Sequence, residues 1–376
     1  MRFFLILLFI SFVQPTIAQY TLRLVVNEAA TRQNETFYAS GSFNNWSPND
    51  PAYLLKPYGT KRKAVVLRNI PAGTYTFKFT RGSWEKVETA ANGSDIENRE
   101  VKVTGDTTVA VSVAGWKDDF PVKPKRFTAT PQVKLLDSAF KIPQLNRSRR
   151  IWIYLPRSYA SSKKSYPVIY MHDGQNLFNE QTAGSGEWGV DEALDSLQLK
   201  TGKEAIVVGI DHGGDKRMNE YNPYDTKEFG KGEGDLYLEF LTATLKPFID
   251  KQYRTLTGPV HTYIAGSSMG GLISFYAIVK YPNVFGGAGI FSPSFAVAPA
   301  IYEAAQKATW TTVRPKLFFY AGGQEGPYMV PDMKKMVTLV QSKQSFAVRD
   351  LVSPLNKHNE RAWREEFPNF YKWIMQ

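Results

Sequence analysis

Between residues 20 and 116 apolar and polar positions alternate in short runs, "YTLRLVVNE", "ETFYASGSF", "KAVVLRNI", "GTYTFKFTR" and "TTVAVSV". Turn residues separate them, as in "NNWSPND", "IPAG" and "AANGSD", and no helical period of useful length intervenes. A period of two broken by turns predicts a small all-β sandwich, immunoglobulin-like in its strand count and spacing. The stretch "KDDFPVKPKRFTATP" over 117–131 follows, with charges and prolines that predict a stiff linker. From residue 132 the pattern changes. Apolar runs such as "RRIWIYLP", "YPVIYMHDG", "EAIVVGIDHG", "HTYIAGSS", "FGGAGIFSPS", "KLFFYAGG" and "FAVRDLVSP" alternate with "WGVDEALDSLQL", "DLYLEFLTATLKPFIDKQY", "GLISFYAIVKYP" and "PDMKKMVTLVQSK", which carry helical spacing. Strand and helix in alternation predict an α/β unit over 132–376, a doubly wound, mostly parallel sheet with both faces covered. Reactive groups in such sheets sit beyond the carboxyl ends of the strands.

The first residues break from both patterns. Arg2, an apolar run from Phe3 to Val13, and the small residues Thr16 and Ala18 predict a signal peptide over 1–18, hence an exported protein, periplasmic or extracellular. The apolar core is too short to span a bilayer, and no later segment reaches spanning length. With no cysteine in 376 residues, disulfides, thiolate metal sites and cysteine nucleophiles are excluded together. The net charge of +11 fits an anionic partner or simply a solvated basic surface. "KPKR" at 123–126 is too short to predict nucleic-acid binding.

The candidate chemistry centres on "YIAGSSMGGLISFYAIVKYP", which fits G-x-S-x-G through Gly266, Ser268 and Gly270. The motif lies between an apolar β-branched run and an apolar helix, the context a nucleophile elbow requires. Ser268 is the candidate nucleophile; Ser267, one residue off centre, is expected to point away. A serine needs a base and the base an orienting acid, in the order Ser, Asp or Glu, His. Only His358 follows Ser268 among the four histidines, so it is the candidate base. His261, at the start of the strand feeding the elbow, is expected to pack or cap, and His212 to line the cleft or occupy a loop. Glu325, just past "LFFYAGG", is the candidate acid, with Asp332 and Asp350 also in the interval. The oxyanion hole is expected from the backbone N–H groups of Met269 and of Gln175 in "PVIYMHDGQNLF". Asp173 and the polar loop residues Arg217, Glu220 and Tyr221 are candidate substrate contacts, or brace the loop against itself.

These stretches, together with "YMHDGQNLF", "EWGVDEALD", "RMNEYNPYD", "GSSMGG", "GGQEG" and "HNERAWREEF", resemble the putative esterase family of α/β-hydrolases. That family includes feruloyl and acetylxylan esterases, enterochelin-type siderophore esterases, S-formylglutathione hydrolases and mycolyltransferases. The resemblance implies an α/β-hydrolase fold and the same assignment of Ser268, Glu325, His358, Gln175 and Met269. One departure is "NKHNE", where members often have glycine shortly before the histidine. The segment 19–116 resembles starch- and glycogen-binding-like modules through "YASGSFNNWSP" and "GTYTFKFTRGSWEKVE". In such modules exposed aromatics stack on sugars, which makes Trp46 and Trp84 candidates; the alternative is that they fill the core. The expectation is thus an exported serine esterase acting without metal or organic cofactor on an ester substrate, most simply an acylated polysaccharide. A siderophore esterase, an acyltransferase and a catalytically silent glycan-binding protein are the alternatives. The oligomeric state is not legible.

Overall fold

The structure, a computed structural model, describes residues 19–121, 124–310, 314–343 and 346–376. The expected signal peptide lies outside the described residues, as do positions 122 and 123 of the expected linker. The chain divides into two compact units, the first ending at Pro124 and the second running Lys125–Gln376.

In the first unit, strand Gln19–Ala29 pairs antiparallel with Lys63–Pro71 and parallel with Thr107–Val113. A second, antiparallel sheet joins Tyr38–Gly41, Gly73–Thr80 and Arg99–Val103. The last of these is a strand that the sequence pattern did not mark. Period-two alternation aims Leu22, Leu24 and Val26 of one sheet and Phe77, Phe79, Val101 and Val103 of the other into one core, closed by Phe37 and Trp116. The tryptophan of that core is Trp116. Trp46 and Trp84 lie outside it, their ring centroids 6.3 Å apart, with Trp84 38% exposed.

The second unit is built on an eight-stranded sheet. We number its strands β1 (Val133–Ile142), β2 (Arg147–Tyr154), β3 (Val168–His172), β4 (Ile206–Ile210), β5 (Thr262–Ser267), β6 (Gly287–Phe291), β7 (Lys316–Gly322) and β8 (Ala347–Ser353). Their spatial order is 1-2-4-3-5-6-7-8. Strands β3 to β8 are mutually parallel, and β2 runs antiparallel to both β1 and β4. Strand β3 shows why its run is apolar throughout: Val168 and Tyr170 enter the core on one face, Ile169 and Met171 the core on the other. Helices Met269–Lys280 and Met329–Ser342 cover the first face, with the run Gly234–Glu239 to Lys246–Gln252 that passes through a π-helical turn at Phe240–Leu245. Helices Val190–Thr201 and Glu360–Ile374 cover the second.

The end of the expected linker is held on this second unit. Thr128 Oγ1 donates to Glu187 Oε1 at 2.7 Å, and the Thr130 N–H donates to Asp191 Oδ2 at 2.6 Å. These bonds fix the approach of the chain to β1.

Candidate active site

The loops leaving the carboxyl ends of β3, β4, β5, β6, β7 and β8 carry Asp173, His212, Ser268, Ser292, Glu325 and His358 in turn. A cavity of about 340 Å³ opens among them, lined by His172, Asp173, Asn176, Ser185, Trp188, His212, Arg217, Ser267, Ser268, His358, Glu360 and Trp363.

Ser268 occupies the tight turn between β5 and helix Met269–Lys280 with φ 58° and ψ −119°, a conformation costly for a residue with a Cβ. The glycines around it are steric necessities. A Cβ on Gly266 would stand 2.9 Å from His172 Cδ2 and 3.0 Å from the Gly270 carbonyl group, and one on Gly271 would stand 2.8 Å from the Phe291 carbonyl oxygen. The turn is pinned from both sides, because the Ser268 N–H donates to the Phe291 carbonyl at 2.9 Å and the Ser294 N–H to the Ser268 carbonyl at 3.1 Å. The Ser268 hydroxyl lies 3.1 Å from that of Ser294. Met269 opens the helix, at the end where backbone N–H groups have no intrahelical acceptor. Ser267, expected to point away, in fact borders the same cavity, although only 5% exposed.

His358 sits in the turn before helix Glu360–Ile374, whose N-cap Asn359 accepts from the Ala362 N–H at 3.0 Å. Its Nδ1 is 2.7 Å from Glu325 Oε2. The Glu325 side chain is fully buried. Its other oxygen accepts from the Gly322 N–H and, at 2.7 Å, from the Ser292 hydroxyl. Ser292 in turn accepts from Trp363 Nε1 at 2.9 Å, and the indole of Trp363 stands edge-on to the His358 ring at 5.1 Å and 86°. Glu325 therefore has both oxygens occupied, one by the imidazole and one by a chain running back to the helix that follows it. Asp332 and Asp350 are elsewhere: Asp332 in the first turn of helix Met329–Ser342, Asp350 in an ion pair with Lys334. Ser292 and Trp363 were not foreseen. Ser292 holds φ 44° directly after a strand, and only its three-dimensional neighbours disclose a role.

The rest of the cavity wall is polar. Asp173, also at positive φ (55°), takes a bidentate pair from Arg217, with Nε to Oδ1 and Nη2 to Oδ2 both at 2.8 Å. Burial pushes the Asp173 carboxyl up, but the charge and hydrogen bonds of Arg217 outweigh it and hold the group below its ordinary value. Glu360 lacks such a partner, and its burial raises its carboxyl. His172 is buried with Nδ1 2.9 Å from the Tyr237 hydroxyl, and burial pushes its imidazole down to about 3. His212 does border the cavity, its N–H donating to Gln175 Oε1 at 3.2 Å. Gln175 is buried in the turn Gly174–Asn176, where its carbonyl accepts from Thr182 Oγ1 at 2.8 Å.

Three sequence expectations need correction. Glu220 does not reach the cleft: it is wholly buried, with Arg149 at 2.6 Å and Arg147 at 2.7 Å, and an acid so enclosed serves to anchor the polar loop to β2. Tyr221 is equally buried, its ring packed against His172 and Tyr237 and its hydroxyl accepting from the Asp173 N–H at 3.3 Å, so it supports the floor rather than touching substrate. His261 neither packs nor caps with its side chain, being exposed at the end of a short turn before β5. Of the four proposed loop contacts, Asp173 and Arg217 line the cavity.

Comparison with known proteins agrees with this architecture. Residues 142–327 match the model described as "Putative esterase". The uncharacterized protein YbbA of Bacillus subtilis (strain 168) is 28% identical over 249 residues, covering 60% of this chain and 92% of that protein. An alpha-amylase of Niallia circulans is 43% identical over 107 residues, 28% of this chain but 8% of the amylase. Among solved structures, a ferulic acid esterase superposes with a TM-score of 0.51 at 20% identity, over 65% of this chain and 98% of its own. The enterobactin esterase FES of Shigella flexneri, solved in the presence of enterobactin, gives a TM-score of 0.54 at 16% identity over 90% of this chain and 88% of its own. At these identities the two structures speak for the fold, an α/β-hydrolase-like one. The match to the putative esterase family lies within the second unit, over residues 142–327, and this is the family that the chain resembles.

Proposed function

We propose that the protein is an exported serine esterase that works through an acyl-enzyme on Ser268. The observation that carries this reading is the bond of His358 Nδ1 to the buried Glu325 at 2.7 Å, in the turn that presents His358 to the same cavity as Ser268. With Nδ1 engaged by a carboxylate, Nε2 of the imidazole is left as the basic nitrogen. His358 takes the hydroxyl proton as Ser268 attacks the ester carbonyl, the N–H groups of Met269 and Gln175 receive the negative charge, and His358 protonates the departing alcohol. Water then repeats the sequence and releases the acid. Glu325 keeps the imidazole in the useful tautomer and stabilises its charged form.

The substrate we propose is an acylated polysaccharide carrying feruloyl or acetyl groups. A cavity of about 340 Å³, walled on one side by the mutually packed indoles of Trp188 and Trp363, suits a small or aromatic acyl group. An anionic ferric chelate is the second reading, favoured by the likeness to FES over both units. Against it, the cavity presents the carboxylates of Asp173 and Glu360, and its one lining arginine is already neutralised by Asp173. The net charge of +11 belongs to the surface of the whole chain, not to this pocket. We read the first unit as an immunoglobulin-like sandwich that binds glycan through Trp46 and Trp84. Its support is the pairing of half-buried Trp46 with exposed Trp84, and the presence of an alpha-amylase among the chain's relatives.

The test offers the protein feruloylated and acetylated xylo-oligosaccharides beside a cyclic catecholate trilactone, with products read by mass spectrometry and Ser268→Ala as control. Deacylation of the sugar that disappears in the variant supports the reading. Serine-dependent opening of the trilactone alone replaces it with the second, and a folded protein that no fluorophosphonate labels removes serine chemistry altogether.

A further inference from the structure

A second cluster of charge stands outside the catalytic constellation. Glu187, Asp191 and Glu192 each offer one carboxylate oxygen, and these three oxygens lie within 4.8 Å of one another. Oxygens that close lie within reach of a single ion, calcium–oxygen bonds being about 2.3 to 2.6 Å, with only a small adjustment of the side chains. The cluster is not a solvated acidic face. Asp191 is completely buried and the Glu187 side chain is 6% exposed.

The hydrogen bonding around the cluster is incomplete in a particular way. Asp191 Oδ2 is taken by the Thr130 N–H at 2.6 Å, and Glu187 Oε1 by the Thr128 hydroxyl at 2.7 Å. Arg364 reaches in with 3.2 Å to Glu187 Oε2 and 3.6 Å to Glu192 Oε1. Asp191 Oδ1 and Glu192 Oε2, both buried, find no protein donor in hydrogen-bond geometry, and burial together with the neighbouring Glu192 carboxyl pushes the Asp191 carboxyl up to about 7. Three carboxyl groups thus share a single guanidinium, and an unpaired oxygen on a wholly buried carboxylate is costly unless something occupies it. Every donor atom is an oxygen. No imidazole, thiolate or thioether belongs to the set, which suits a hard cation rather than zinc or copper.

We propose that Glu187, Asp191 and Glu192 form a binding site for one calcium ion, with Asp191 Oδ1 and Glu192 Oε2 as its unpaired ligands and water completing the shell. The site has a structural purpose in the architecture already described. It joins the segment that leads into β1, through Thr128 and Thr130, to the start of helix Val190–Thr201 and, through Arg364, to helix Glu360–Ile374. Between them lies the stretch holding Ser185 and Trp188, which line the cavity. The ion therefore braces one wall of the catalytic pocket without touching a reacting atom.

The experiment uses the full mature chain, stripped with a chelator and dialysed. Calorimetric titration with calcium chloride should show one ion per chain, and thermal unfolding of the second unit should rise by about 5 °C at a hundredfold excess over the dissociation constant. Asp191→Asn should remove both effects. Should that variant fail to fold, Glu192→Gln, at the more exposed margin of the cluster, should weaken binding at least tenfold while leaving the circular dichroism spectrum unchanged. Absence of binding heat and of any thermal shift at millimolar calcium overturns the proposal. So does calcium binding that is undiminished in both variants, since the ion would then sit elsewhere. Neither readout depends on esterase activity.

Discussion

At the scale of single residues, the acid we propose for the triad is defined by what holds it. Glu325 can orient His358 only if its second oxygen is fixed, and Ser292 shares that fixation with the Gly322 N–H, donating at 2.7 Å while taking its own hydrogen bond from Trp363. Ser292→Ala removes a hydrogen bond to a buried carboxylate and strands the indole N–H, a loss of roughly 1.5 to 3 kcal/mol where the partner is charged. We expect kcat to fall about tenfold with KM unchanged, because no substrate contact is lost. Steady-state kinetics on a soluble aryl ester decides this, and an unaltered kcat would falsify the role. The residues we assign to the chemistry could be picked out in the sequence because they obey chain-order rules. Ser268 sits in a glycine-framed turn, and His358 is the only histidine after it. Ser292 and Trp363 obey no such rule: they lie 71 positions apart and meet only because β6 and the last helix are packed together. Glu220 and Tyr221 took the second of their two expected roles, as braces, and the sequence left that choice open because a polar loop says nothing of which side chains fold back beneath it.

At the scale of elements, legibility followed burial. Strands β3 to β7 were apparent as apolar runs because a central parallel strand is buried on both faces, while β2, antiparallel, and β8, at the far edge, showed as apolar runs although each is only partly covered. Strand β1 escaped notice because it lies at the sheet edge, with Phe140 and Ile142 its only buried residues and two register shifts against β2. Helix Ala300–Lys307 was missed for its shortness. The π-helical turn at Phe240–Leu245 has no signature in a pattern read at helical period. In the first unit the two tryptophans belong to separate connecting elements. Trp46 lies in the turn after Tyr38–Gly41 at φ 58°, and Trp84 opens the short helix Trp84–Lys86. Neither contributes to the core cluster, so truncation should leave folding intact. If the pair is a sugar platform, Trp84→Ala should weaken retention on insoluble xylan or starch roughly tenfold, the equivalent of about 1.4 kcal/mol of stacking. Hydrolysis of a small soluble ester should not change. Retention indistinguishable from the parent protein would assign the pair no part in glycan binding.

At the scale of the whole molecule, a cysteine-free chain rests its stability on its cores, and one of those cores contains an ionisable group. His172 ends β3 beneath the elbow, between the rings of Tyr221 and Tyr237, with Nε2 buried and without a partner. Burial pushes its imidazole down from 6.5 to about 3, so the folded protein refuses a proton that the unfolded chain accepts. The sign follows from linkage. A depressed folded value gives stability that is complete above about pH 6.5 and is lost as the pH falls toward 3, at up to about 1.4 kcal/mol per pH unit. The same histidine forms the surface that Gly266 and Gly270 approach, at 2.9 and 3.4 Å from where their Cβ atoms would be. Its protonation would therefore place a charge directly under the turn that carries Ser268. Replacing it with a neutral residue that keeps a hydrogen bond to Tyr237, as in His172→Asn, should cost stability at pH 8 through lost packing. It should also flatten the acid limb, so that the gap between variant and parent narrows steadily from pH 6.5 to 4. Denaturant unfolding of both proteins at half-unit intervals measures that gap directly. A gap that stays constant across the interval would move the origin of the acid sensitivity away from His172, leaving the carboxylates of the sheet edge and cavity wall to account for it.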